Sequence, residues 1–104
     1  PEEKVIANLN LPASFELGQN YPNPFNPTTT IQYALPEPAQ VELTIFNTLG
    51  QVVRTLMDGH QGAGYHQIVW DGKDEAGRSV STGIYLYQIK AGDLVETKKM
   101  QLIK

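Results

Sequence analysis

Two runs decide the fold: Thr29-Thr30-Ile31-Gln32-Tyr33-Ala34-Leu35 and, after Pro36-Glu37-Pro38-Ala39, Gln40-Val41-Glu42-Leu43-Thr44-Ile45-Phe46-Asn47. In the first, Ile31, Tyr33 and Leu35 fall on one side, with Thr30, Gln32 and Ala34 on the other. In the second, Val41, Leu43 and Ile45 oppose Glu42, Thr44 and Phe46. Side chains alternate across an extended chain, so a period of two with β-branched residues reads as two half-buried strands. Pro36-Glu37-Pro38 ends the first, because proline fixes its own φ and has no N–H to donate to a sheet.

The same reading extends outward. Asn47-Thr48-Leu49-Gly50 is a short hairpin turn leading into Gln51–Leu56. Asp58-Gly59 and Gly62-Ala63-Gly64 mark a connection, and Tyr65–Trp70 is a strand with His66, Ile68 and Trp70 on one face. Asp71-Gly72 and Ala76-Gly77 carry turn chemistry, which makes the stretch to Gly83 a folded-back loop. Ile84–Lys90, the turn Ala91-Gly92-Asp93 and Leu94–Ile103 complete the chain as two more strands. No segment holds a helical period. Short strands joined by tight turns predict an all-β antiparallel sandwich. Its expected core is Ile31, Tyr33, Val41, Leu43, Ile45, Ile68 and Trp70, each contributing about 1.5–3 kcal/mol when fully buried.

Upstream, Asn20-Tyr21-Pro22-Asn23-Pro24-Phe25-Asn26-Pro27 pushes alternate residues toward extended geometry and reads as a stiff, non-helical arm. Residues 1–13 show no sustained period and read as a linker from a preceding domain, leaving 14–104 as the folded unit. The opening Pro1-Glu2-Glu3-Lys4 has no basic stretch leading into an apolar one, so it does not read as a signal peptide; a fragment of a longer precursor would begin this way.

Composition narrows the function. With 40% hydrophobic and 18% charged residues, the 104-residue chain is too apolar for wholesale disorder. A net charge of −3 argues against binding nucleic acid through phosphate neutralisation. There is no cysteine, which removes disulfides, thiol catalysis and zinc ribbons. No apolar run reaches the roughly 20 residues of a membrane-crossing helix.

Candidate chemistry is sparse. His60 in a glycine-rich connection and His66 on a strand lack a nucleophile partner, and Ser14, Ser79 and Ser81 lack a nucleophile elbow. Asp71, Asp74 and Glu75 offer oxygen ligands of the kind calcium takes, but Lys73 interrupts them; the alternative is that they cap turns. Gly62-Ala63-Gly64 has neither the Lys-Ser/Thr pair nor the helix of a phosphate cradle. Tyr85 and Tyr87, two residues apart on one strand face, form either a platform for sugar rings or part of the core. Lys90, Lys98, Lys99 and Lys104 make the C-terminal end basic, as in a lysine-protected edge strand or a docking strand. The residues alone therefore predict no enzyme, cofactor or metal.

Five pieces taken in order carry a resemblance: Tyr21-Pro22-Asn23-Pro24-Phe25-Asn26-Pro27-Thr28-Thr29-Thr30-Ile31, Leu49-Gly50-Gln51-Val52-Val53, Trp70-Asp71-Gly72, Gly83-Ile84-Tyr85 and Thr97-Lys98-Lys99-Met100. Together they resemble the type A C-terminal sorting domain of the type IX (Por) secretion system. That family is similar in fold to the immunoglobulin-like domain of flagellar hook-capping proteins. The resemblance implies an immunoglobulin-like antiparallel β-sandwich of about seven strands. It also implies a non-catalytic address, fused behind a cargo domain and read in the periplasm by the outer-membrane translocon. In many members a sortase-like peptidase then removes it, leaving the cargo at the cell surface or secreted.

Motif by motif, the resemblance places recognition on Lys98, Lys99, Met100, Leu102, Ile103 and Lys104, with Gly83, Tyr85 and Gly92. It gives Tyr21, Pro22, Asn23, Pro24, Gly50, Trp70, Asp71 and Gly72 to the fold. Strand addition to an exposed terminal edge is a physical route for such recognition. The competing readings are a structural or adhesion module retained on a surface protein, and a carbohydrate-binding module.

Overall fold

A computed structural model of the chain describes residues 11–104, so residues 1–10 of the expected linker lie outside the described residues. Seven strands form: β1 (Glu16–Leu17), β2 (Thr29–Leu35), β3 (Ala39–Phe46), β4 (Val52–Gln61), β5 (Gly64–Trp70), β6 (Gly83–Ala91) and β7 (Leu94–Leu102). They build two antiparallel sheets, ordered β1-β2-β5 and β4-β3-β6-β7. Hairpins join β3 to β4 and β6 to β7, while the chain crosses between sheets from β2 to β3, β4 to β5 and β5 to β6. This is the all-β antiparallel sandwich that the alternation and turns predict, with the immunoglobulin-like architecture that the resemblance implies. Among the described residues no helix is long and apolar enough to cross a membrane.

The core lies where the inward faces meet. Ile31, Tyr33, Leu35, Val41, Leu43, Ile45 and Trp70 are buried as expected, and Ile68 is half-buried against them. Phe25, Tyr85, Tyr87, Ile89, Met100 and Leu102 join them, with Leu17 and Ala91 at the margins. Phe25 packs tilted against Trp70 and Tyr85 meets it edge to face, with centroids 5.6 and 5.5 Å away.

One expectation needs correction, one strand is new, and one open alternative is decided. Asp58-Gly59 is not a connection: β4 continues through it to Gln61, with Asp58 opposite Glu42 and Gly59 opposite Val41. Pairing with β3 overrides the local turn signal, and His60 becomes an exposed strand residue rather than a loop one. Second, β1 forms between the linker and the proline-rich arm, where no strand was signalled; two residues are too few to show a period, and β2 recruits them by pairing Leu17 with Tyr33. Third, Tyr85 and Tyr87 form no sugar platform, because both are buried. Their hydroxyls are satisfied from within: Tyr85 donates to the Ser81 carbonyl at 2.6 Å and Tyr87 to the Gly18 carbonyl at 2.7 Å.

Candidate functional site

The residues assigned to recognition divide along β7. As the last strand of the four-stranded sheet it has β6 on one side only. Its alternation sends Met100 and Leu102 into the core, 1% and 0% exposed, so their side chains hold the fold and are inaccessible to a receptor. Lys99, Ile103 and Lys104 face solvent, and Lys98 is half-buried beside Glu96, with Nζ 3.9 Å from its carboxylate. The Lys104 ammonium donates to the Val80 carbonyl at 2.7 Å.

The free side of β7 is only partly free. Phe25 N–H donates to the Gln101 carbonyl and Ile103 N–H donates to the Phe25 carbonyl, each at 2.9 Å, forming a short parallel bridge. Asn23 Oδ1 accepts from the Gln101 N–H at 3.0 Å, and Gln19 Nε2 donates to the Lys99 carbonyl at 2.9 Å. The proline-rich arm thus acts as a cap over Lys99 to Ile103. Outward-facing backbone groups recur every second residue, so those of Val95 and Thr97 also point away from β6. Among the described residues they have no backbone partner. The edge expected to be open along its C-terminal half is covered there and, among the described residues, bare only over Val95 to Thr97.

The arm is itself held from below. Asn20, 2% exposed, donates through Nδ2 to the Pro22 carbonyl and to Thr29 Oγ1, while its N–H donates to the Tyr87 hydroxyl at 2.9 Å. The Phe25 ring is 1% exposed. Peptide bonds before Pro22, Pro24 and Pro27 are cis. Tyr21 points outward at 80% exposure. Gly72 touches the end of the arm: with φ of +76° it takes a backbone conformation side chains disfavour, and a Cβ there would lie 2.9 Å from the Pro27 carbonyl oxygen. The Trp70-Asp71-Gly72 motif therefore has three tasks. Trp70 fills the core, Asp71 Oδ1 accepts from the Lys73 N–H at 3.1 Å, and Gly72 lets the arm pass.

Gly83 and Tyr85 lie opposite Leu102 and Met100, at the capped end. Gly92 sits at the far end, in the two-residue β6–β7 turn, where φ of +60° at the first central position fits a type II′ hairpin. The recognition residues expected from the sequence thus do not form one patch. Gly50 serves the β3–β4 hairpin, where Asn47 Oδ1 accepts from the N–H groups of Leu49 and Gln51 at 3.0 Å each.

Other candidates serve the fold. Asp74 Oδ1 accepts from the N–H groups of Ala76 and Arg78, and Glu75 Oε2 from that of Thr55 at 2.8 Å. With Asp71 these carboxylates cap turns and a strand edge, and among the described residues no three metal-ligating side chains converge. His66 stacks on Tyr33 at 5.3 Å with Nε2 2.8 Å from the Gly62 carbonyl oxygen.

Sequence reasoning missed the outer face above the capped end. Phe46 lies opposite Leu86 and Val52, with Ile84 two residues along β6 and Gln101 and Lys99 beside them on β7. Val52 is 59% exposed and Ile84 40%. The signal was Phe46, an aromatic residue on the polar side of an otherwise regular alternation.

Residues 25–98 match the family of FlgD Ig-like domains, and the chain belongs to that family. The basal-body rod modification protein FlgD of Salmonella typhimurium is 42% identical over 67 residues, covering 64% of this chain and 29% of that protein. The chain thus spans less than a third of that curated relative. Dimeric latent PorU from Porphyromonas gingivalis superposes with a TM-score of 0.68 at 19% identity, over 88% of this chain and 10% of PorU. PorZ of the same organism, a surface component of the type-IX secretion system, gives 0.57 at 18% identity, over 88% of this chain and 12% of PorZ. At such identities these two likenesses concern the fold.

Proposed function

We propose that this FlgD-type immunoglobulin-like domain is a non-catalytic sorting signal that directs a fused cargo across the outer membrane by the type IX route. One observation carries the reading. The FlgD Ig-like match spans residues 25–98, leaving Tyr21–Pro24 and Lys99–Lys104 outside it, and these are stretches to which the sorting-domain resemblance extends. They meet in space: Asn23 holds the Gln101 N–H, and Gln19 holds the Lys99 carbonyl. Segments 78 residues apart in sequence thus form a single feature that the FlgD match does not include. In this reading the translocon meets Lys98, Lys99, Ile103 and Lys104 from outside, while Met100 and Leu102 fix their presentation. The domain passes through the periplasm in transit, and a sortase-like peptidase separates it from its cargo at the surface.

The second reading, a structural module that stays on its protein, is favoured by the 42% identity to FlgD. A fluorescent reporter carrying an export signal, fused ahead of residues 11–104 in a type IX-competent cell, separates the two. Arrival at the surface or in the medium, abolished when Lys99–Lys104 are deleted, is the expected result. A folded reporter retained in the periplasm with the intact domain overturns the sorting reading.

A further inference from the structure

The outer face of the three-stranded sheet carries a feature that sorting does not use. Ala34 lies opposite Tyr65, Gln32 opposite Gln67 and Thr30 opposite Tyr21, and directly opposed residues of antiparallel strands share a face. Two adjoining cavities of about 450 and 330 Å³ run along that face and share Gln32 and Gln67 in their lining. Tyr65 and Tyr21, 71% and 80% exposed, stand at opposite corners. Four residues of strand rise and two strand spacings separate their backbones by roughly 16 Å. Between them Gly18 donates its N–H to the Gln32 carbonyl at 2.8 Å, and a Cβ on Gly18 would crowd that oxygen at 3.2 Å. Glycine keeps the middle of the trough open.

We propose that this trough binds an uncharged oligosaccharide, with its outer rings against Tyr65 and Tyr21 and its central hydroxyls on the amides of Gln32 and Gln67. A pyranose ring has apolar C–H faces and a hydroxyl rim. A tyrosine ring is an apolar surface with a polar tip, and a carboxamide both donates and accepts, as a hydroxyl does. Gln32 Nε2 is 3.4 Å from Gln67 Oε1, a long contact that leaves both amides capacity for a ligand. Charge disfavours anionic ligands: among the described residues of the lining Glu16 is the one carboxylate, and no lysine or arginine accompanies it. The site differs in every residue from the Tyr85–Tyr87 pair, which is in the core.

The test uses the whole 104-residue chain, labelled with ¹⁵N and titrated with cellotetraose, maltotetraose, chitotetraose and mannotetraose, with tetragalacturonate as the anionic comparison. Saturable shifts of the Gln32, Gln67 and Tyr65 amides with at least one neutral sugar, and none with tetragalacturonate, are expected. Tyr65→Ala and Tyr21→Ala should each weaken that binding about tenfold, which corresponds to about 1.4 kcal/mol. Ile84→Ala on the other sheet should leave it unchanged. Absence of saturable shifts with all four neutral sugars, shifts confined to other faces, or binding indifferent to both tyrosines overturns the proposal. Because the wild-type shift map is read directly, a poorly folding variant does not spare it.

Discussion

The two halves of β7 have the same neighbour on one side and opposite fates on the other. From Lys99 to Ile103 the arm takes up the outward backbone groups, while Met100 and Leu102 anchor the strand inward. From Leu94 to Thr97 the edge is bare among the described residues, and Leu94 and Val95 are 53% and 57% exposed. An uncovered strand edge is a template for pairing, and lysines beside it are a common deterrent. The contrast teaches that the arm is part of the sandwich. It supplies the backbone partner that an eighth strand would otherwise provide.

Phe25→Ala should break this contrast most severely. Loss of a fully buried aromatic ring against Trp70 costs about 3–5 kcal/mol, whereas Val95→Ala on the bare half should stay within about 0.5 kcal/mol. Urea denaturation followed by Trp70 fluorescence measures both. Amide exchange sharpens the result: in the wild type the Ile103 and Gln101 amides should be protected and that of Thr97 fast. In Phe25→Ala the first two should approach the third. Equal protection in the two proteins would show that the bridge contributes nothing.

Gly72→Ala comes next. A positive φ and a Cβ 2.9 Å from the Pro27 oxygen act together, and a strained residue of this kind costs about 1–3 kcal/mol. The same exchange experiment should show the arm loosening from its Pro27 end. A substitution as stable as the wild type would mean that the loop gives way without disturbing the arm.

Tyr87→Phe acts through a single hydroxyl. It removes the hydroxyl that donates to Gly18 and accepts from Asn20, costing about 1–3 kcal/mol at neutral pH by leaving buried groups unpaired. Its signature lies in alkali. Burial raises the Tyr87 hydroxyl above the ordinary 10.0, opposed by the Asn20 hydrogen bond and reinforced by the charge of Glu96. Burial likewise raises Tyr33, against its bond to Gln61. A raised folded-state value means that the unfolded chain releases its proton first. The associated stability is therefore complete below pH 10 and falls as pH climbs from there through the folded value. Stability measured from pH 8 to 12 should decline less steeply in Tyr87→Phe; parallel curves would assign the alkaline loss to other groups.

Much of the fold was legible because its strands are long enough to alternate. Ile31 through Ile45 announced two faces, and turn residues at Asn47–Gly50 and Ala91–Asp93 fixed two hairpins. What escaped notice depends on partners distant in sequence. Asp58-Gly59 has local turn chemistry but lies within a ladder set by β3, and β1 exists only because β2 accepts it. The candidate site was legible as a set of motifs and illegible as an arrangement. Lys98-Lys99-Met100 gives no sign that one member points inward, or that the arm 78 residues earlier bonds to the next residue. Tyr85 and Tyr21 show the same limit, since both are tyrosines near glycine or proline and only the sheets decide which one is buried.

The direction of the bridge between Phe25 and β7 has a mechanical consequence. The two segments run parallel, so tension applied between the beginning and the end of the chain drags them past each other lengthwise. Their hydrogen bonds then share the load together instead of opening one after another like a zipper. A domain built this way resists being drawn out from its extremities more strongly than its modest size suggests, and it yields more readily to a pull that peels the arm sideways.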